Sequence, residues 1–277
     1  MSSETATGGQ TIAPGNGWLG DVWVNFKRWN LKAVRNPFVL TVSTIQPAVF
    51  LILFSEVFGG VAGAALSGLP GDISYVSYLT PAIVMQVALI AAATSGIGLV
   101  EDIEDGMFEK TLVSPMRRSA VFVGKTLSEM LRIAVQICIV LGLGSLLGAE
   151  VATGIPGALA IIGVGIVFSI WFASFSNVIA IKTKNSEATI IAANILQFPL
   201  LFLSTAFLPK QALPEWVQTF AELNPITYGV EAAREIMLFG WDTGVILESL
   251  AVLVALDLAL GAVAIYVLTK ASSSKVQ

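Results

Sequence analysis

Side chains able to do chemistry are few in this sequence, and they are unevenly placed. There is no His and one Cys, Cys138, so no Ser-His-Asp or Cys-His mechanism can be assembled within the chain. An internal disulfide is impossible, and a metal site built from Cys and His is not expected. Gly124-Lys125-Thr126 echoes the end of a nucleotide-binding loop, but G-x-x-x-x-G-K-[ST] needs Gly where Ser119 stands, and no strand precedes it. No ATP site is therefore expected in this chain. Asp257 is the one acid well inside an apolar run, where an isolated carboxylate costs on the order of 3 kcal/mol. It should face other helices, pair or take up a proton. It could line a path or bind a cation, although a helix–helix contact is the simpler role. An intramembrane enzyme would need a second carboxylate at that depth, and the sequence offers none. The longest strongly charged stretch is residues 100–130, which holds Glu101, Asp102, Glu104, Asp105, Glu109, Lys110, Arg117, Arg118, Lys125 and Glu129.

The elements that hold these residues are apolar. The chain of 277 residues is 55% hydrophobic and 12% charged, with a mean hydropathy of +0.81. Runs of about 20 apolar residues match the roughly 30 Å hydrocarbon core at 1.5 Å per residue. They do not alternate as the strands of a membrane barrel would. The expected fold is an all-α polytopic membrane protein with six spans, near 38–58, 78–100, 131–147, 157–181, 188–208 and 245–269. Residues 1–17 are rich in Ser, Thr and Gly, carry no apparent secretory signal and are expected to be a disordered tail. Residues 18–36 form an amphipathic interfacial helix in this reading. Trp18, Val22, Phe26, Trp29 and Ala33 make its apolar face, and Lys27, Arg28, Lys32 and Arg35 meet headgroups.

Charge then sets orientation. The N-terminal region, the 100–130 stretch, the 182–187 turn and the tail at 270–277 hold the Lys and Arg residues. The exceptions are Lys210, Arg234 and Arg132, the last of which can snorkel to the same side from its span. With six spans these four regions share one face, which the positive-inside rule makes cytoplasmic. Both termini are then inside, residues 101–130 form the large cytoplasmic loop, and 209–242 the large outer segment. The halves show no repeat, which argues against an inverted-repeat carrier. The acidic pI near 4.9 argues against nucleic acid as a partner. Gln46, Gln86, Gln136, Asn194 and Gln197 are expected to bond between helices, and Gly144-x-x-x-Gly148 would allow close packing.

Within 101–130, Asp105-Gly106 signals a turn, Met107 to Val113 could form two helical turns, Ser114-Pro115 breaks them, and a new helix begins near Ser119. Such a segment could dock into a soluble partner or could simply be solvated. In the outer segment Trp216, Val217, Phe220 and Leu223 share one helical face. Asn224-Pro225 breaks that helix, and Glu231, Arg234 and Glu235 lie at i, i+3 and i+4 in the next.

Residues 101–115, Glu-Asp-Ile-Glu-Asp-Gly-Met-Phe-Glu-Lys-Thr-Leu-Val-Ser-Pro, followed by Gly124-Lys125, resemble the signature of the type 2 ABC-transporter permeases. Met107 stands where Thr is usual, and Asp105 replaces a basic or neutral residue. Asn224-Pro225-Ile226-Thr227-Tyr228 with Arg234, and Ser204 to Pro209 followed by Leu213-Pro214-Glu215-Trp216, resemble further family segments. The resemblance implies a half-transporter for drug-like, lipid or glycan substrates. Two permease chains would pair in the cell membrane, and two ATPase subunits holding ATP and Mg would dock on the 101–115 loop. Glu101, Asp102, Glu104, Asp105, Gly106, Phe108, Glu109 and Pro115 would then couple ATPase motion to the spans. The outer helices would dip back into the outer leaflet, with Asn224, Pro225, Tyr228 and Arg234 at an outer gate. The rival from another class is an ion-driven carrier that uses Asp257.

Overall fold

A computed structural model describes residues 17–66, 73–106 and 116–273, and every regular element among them is helical. Helix α1 spans Gly17–Arg35, α2 Pro37–Leu66, α3 Tyr75–Glu104, α4 Arg118–Leu146, α5 Gly154–Thr183 and α6 Ser186–Phe202. A short turn at Lys210–Ala212 leads to α7, Glu215–Glu222, and α8, Pro225–Arg234. A π turn over Glu235–Phe239 precedes α9, Thr243–Ser273.

Local chemistry sets several boundaries. Ser74, Asn185 and Asn224 cap α3, α6 and α8, accepting hydrogen bonds from the backbone N–H of Ser77, Ala188 and Ile226. Gly106, at φ +65°, follows the end of α3 in the left-handed region that suits glycine.

Among the described residues five helices are long and apolar enough to cross a membrane: Thr41–Gly60, Tyr75–Glu104, Ser119–Leu146, Gly154–Thr183 and Thr243–Val267. The expected run at 188–208 differs. It is helical only as α6, 17 residues or about 25 Å, and the chain turns after Phe202. The expected loop at 101–130 also shrinks, because α3 continues to Glu104 and α4 starts at Arg118. The helix expected to begin near Ser119 starts at Arg118, and α4 carries the charges up to residue 130 alongside α1.

Helix α3 is the middle of the bundle. It packs against α2, α4, α5, α6 and α8, and 72% of its apolar window is buried, against 11% for α2 and for α9. It approaches α5 so closely at Gly96 that a Cβ there would clash with the Ser176 carbonyl oxygen. Ser176 Oγ donates to the Ala93 carbonyl and accepts from the Gly96 N–H, so a serine is spliced into the backbone of α3. Gly144 abuts Thr80 of α3, whereas Gly148 ends α4 at φ +94° and has open space where a Cβ would be. Only the first glycine of that pair makes a helix contact.

The bundle has two distinct ends. At one, Tyr75 and Tyr78 of α3 meet the segment after α6 and helix α8, and the Ala152 N–H reaches the Met237 carbonyl. At the other, α1 meets the end of α3 and the start of α4. This second end carries most of the basic residues and is called the basic end below.

Candidate functional site

At the basic end α1 grips both edges of the 107–115 segment. On one edge Arg28 Nη2 lies 2.9 Å from Asp102 Oδ2. Lys32 Nζ is 3.0 Å from Glu101 and 3.1 Å from Asp102. On the other edge Asp21 accepts from the Arg117 backbone N–H, and the Trp18 indole N–H donates to Ser119 Oγ. Gly124 lets α1 seat itself. A Cβ there would fall 2.7 Å from Asn25 Cβ and 2.7 Å from the Val22 carbonyl oxygen. Helix α1 therefore turns Asp21, Val22 and Asn25 onto the bundle. The expected apolar stripe at 18, 22, 26, 29 and 33 lies on or beside that docked face, while Leu19, Trp23, Leu31 and Val34 point outward.

The Trp29 ring collects three cations, with Arg28, Lys32 and Lys125 at 5.2, 5.1 and 5.4 Å from its centroid. Lys125 is buried and donates to Ser95 Oγ and to Glu129, at 2.8 and 2.7 Å. Partial burial pushes the Lys32 ammonium down, but hydrogen bonds to Glu101 and Asp102 and their charges outweigh it, so its pKa sits above 10.5. Charge-assisted bonds of this kind contribute about 1.5–3 kcal/mol when sheltered. The exposed part of the Lys32 pair contributes less because water screens it.

The expected coupling residues therefore separate. Glu101 and Asp102 face α1, and Asp102 is buried. Glu104 and Asp105 are exposed at the end of α3 beside Gly106. Phe108, Glu109 and Pro115 lie outside the described residues. Sequence reading missed the α1 side of the site. The i, i+4 spacing of Lys125 and Glu129 was a usable signal; the long-range partners Arg28, Trp29 and Lys32 left none.

At the opposite end two of the four expected gate residues, Asn224 and Arg234, clasp neighbouring segments. Asn224 caps α8, with Pro225 at its first turn, and its amide donates to the Leu200 and Leu203 carbonyls at 2.6 and 2.8 Å. Those carbonyls are freed where α6 stops. Arg234 is buried. Its guanidinium stacks 3.7 Å from the Tyr78 ring centroid and donates to the carbonyls of Thr205 and Ala206. Of the expected grouping with Glu231 and Glu235, Glu231 stays within electrostatic reach of Arg234 and also accepts from Thr205 Oγ1. Burial raises the Glu231 pKa. Tyr228 donates to the Glu222 carbonyl. On α7, Val217 is buried but Trp216, Phe220 and Leu223 are exposed, so that expected apolar face is split.

Within the spans, Gln136 bonds to Ser43 and Thr44 of α2 as expected of helix-bridging amides. Asp257 is half-buried on α9, the helix that packs along α5, and its Oδ1 has no hydrogen-bond partner among the described residues. No group of three or more potential metal ligands occurs among the described residues.

A helical bundle with five membrane-length helices among the described residues, and with α1 ion-paired to the end of α3, is the framework of a multi-pass membrane protein. Residues 20–238 match the family model described as ABC-2 type transporter, and the chain belongs to that family. It is 29% identical to the daunorubicin resistance ABC transporter permease protein DrrB1 of Streptomyces coeruleorubidus, over 76% of this chain and 74% of that one. It is 24% identical to DrrC of Mycobacterium tuberculosis (strain CDC 1551 / Oshkosh), named a probable doxorubicin resistance ABC transporter permease, over 71% and 69%. The protein is thus the membrane permease subunit of an ABC exporter.

Proposed function

We propose that the chain is half of a permease pair that exports a drug-like, lipid or glycan substrate, and that the ATPase docks on residues 101–115. The observation that carries the coupling role is the double grip of α1, on Glu101 and Asp102 before the 107–115 segment and on Arg117 and Ser119 after it. A push on that segment is delivered to α1, α3 and α4 together. Glu104 and Asp105, exposed, are the residues offered to the ATPase, and Asp102 transmits from behind. ATP and Mg are held by that partner and not by this chain. In this reading α6 crosses as the fifth of six spans, both termini are cytoplasmic, and α7 and α8 dip into the outer leaflet. The resistance names of the relatives support a drug-like substrate. The clasp of Asn224 and Arg234 supports an outer gate drawn in its closed form.

The test is to purify the tagged chain from gently solubilised native membranes, identify its partners and assay ATPase activity. A stoichiometric ATPase that is lost when residues 106–113 are scrambled is expected. A homo-oligomer that transports without any ATPase would sink the reading. The unpartnered Asp257 oxygen supports the ion-driven alternative, which requires Asp257→Asn to abolish transport. We expect that variant to transport normally.

A further inference from the structure

A cavity of about 520 Å³ lies between the second half of α1, the first turns of α2 and the middle of α4. That size falls within the roughly 300–1,000 Å³ of small-ligand sites. Its walls are mostly apolar, and it opens sideways. Val34, Ile45, Val135 and Ile139, which line it, are exposed on the flank of the bundle. Asn30, Thr41 and Gln136 add polar groups, and Arg132 is its one charged residue.

Arg132 has more donors than partners. One guanidinium N–H reaches the Ala91 carbonyl at 2.9 Å, while Nε is buried with no hydrogen-bond partner among the described residues. The neighbouring acid, Glu129, is held by Lys125 at 2.7 Å. A buried donor left unmade costs about 1–3 kcal/mol, and more when charged. A second cavity, of about 320 Å³, lies on the other side of Arg132, but its acids Glu101 and Glu129 already pair with Lys32 and Lys125. Glu129 still acts on Arg132 through its charge, but the unpaired Nε donor and the absence of any acid from this cavity's described lining favour an anion on the α2 side. The apolar, sideways-open walls favour an anion that carries hydrocarbon. Thr41 begins the membrane-length stretch of α2, so the α2 wall of the cavity lies toward the basic end of the bundle.

We propose that this cavity binds an anionic phospholipid of the inner leaflet. Arg132 holds the phosphate, and an acyl chain runs along Ile45, Val135 and Ile139. The leaflet, though not the site, rests on the orientation under Proposed function. A bound lipid would fill the gap between α1 and α2 and complete the seat of the helix that grips the coupling segment.

The test uses the full chain, reconstituted without transport substrate into phosphatidylcholine vesicles that contain a photoreactive phosphatidylglycerol. Crosslinks are expected in the peptides around Thr41–Ile45 and Leu131–Ile139. They should fall roughly tenfold in Arg132→Gln, the size of one lost charge-assisted hydrogen bond, and persist in Arg132→Lys. Val135→Trp, which fills the groove and leaves the charge alone, should also reduce them, so the result does not hang on one variant's folding. Equal crosslinking in Arg132→Gln and Val135→Trp, or crosslinks only elsewhere, overturns the site. Loss of the crosslink to excess inorganic phosphate would show a free anion as occupant and overturn the lipid. Asn30→Cys in a Cys138→Ala background, probed with an impermeant maleimide, reports the side. Labelling from the outer face would overturn the leaflet and the orientation while leaving the crosslink result intact.

Discussion

Asn224 serves two helices with one side chain. Its oxygen starts α8, and its amide closes α6 on the Leu200 and Leu203 carbonyls. Asn224→Ala should therefore cost more than a helix cap alone. The lost cap contributes about 1 kcal/mol, and each buried carbonyl left unpaired a further 1–3 kcal/mol or so. Thermal denaturation in detergent would read this, and Asn224→Asp separates the two parts. It keeps the cap but brings no amide donor, so it should recover only the smaller share. A melting temperature for the Ala variant equal to the parent's would refute the clasp. Arg234 obeys the same logic, since Lys cannot reproduce the stack on Tyr78 together with bonds to two carbonyls.

Among the elements, α1 is the one whose attachment can be tested by its own release. Gly124→Val should push α1 from α4, exposing it to limited proteolysis and lowering transport together. Gly142→Ala on the same helix meets nothing within 4 Å and should do neither. Lys32 adds a pH signature. Its pKa is raised above the ordinary 10.5, so its contribution is whole below 10.5 and fades as pH climbs through the higher folded value. Protection of α1 should hold through the neutral range and fall in strong alkali. Lys32→Arg should resist that fall, and an equal alkaline loss in this variant would remove Lys32 from the grip. These elements were unevenly legible in the sequence. Helix α1 was readable from its apolar spacing, and its start at Gly17 and end at Arg35 fall within a residue of the expected 18–36. The side chains that hold it were not readable, because Arg28 and Asp102 are far apart in sequence and their types suit headgroups equally well. Helix α4 was started correctly near Ser119 but counted as a span only from 131. The intervening charges kept that part of the helix out of the span, because nothing in the sequence shows that Ser95 and Glu129 satisfy Lys125. The fifth run was read too long, because residues 203–208 continue its apolar character. Nothing in hydropathy says that the backbone there turns back to be held by Asn224.

At the scale of the molecule, the helices meet the surroundings very unequally. Helix α3 is wrapped by its neighbours, whereas α2 and α9 bury only 11% of their apolar windows within the chain. The consequence is mechanical. A bilayer thicker or thinner than these helices is felt as hydrophobic mismatch by α2 and α9, at fractions of a kcal/mol per Å. Helix α3, which carries Glu101 and Asp102 down to the ATPase side in the proposed orientation, is insulated from it. Reconstitution in lipids of graded acyl length should change the tilt of α2 and α9 and leave the α3–α5 crossing at Gly96 and Ser176 in place. Spin labels on the outer faces of α2 and α9 would read the first, and a label pair across α3 and α5 the second. A transporter built in this way can live in membranes of different thickness without retuning the rod that carries its stroke.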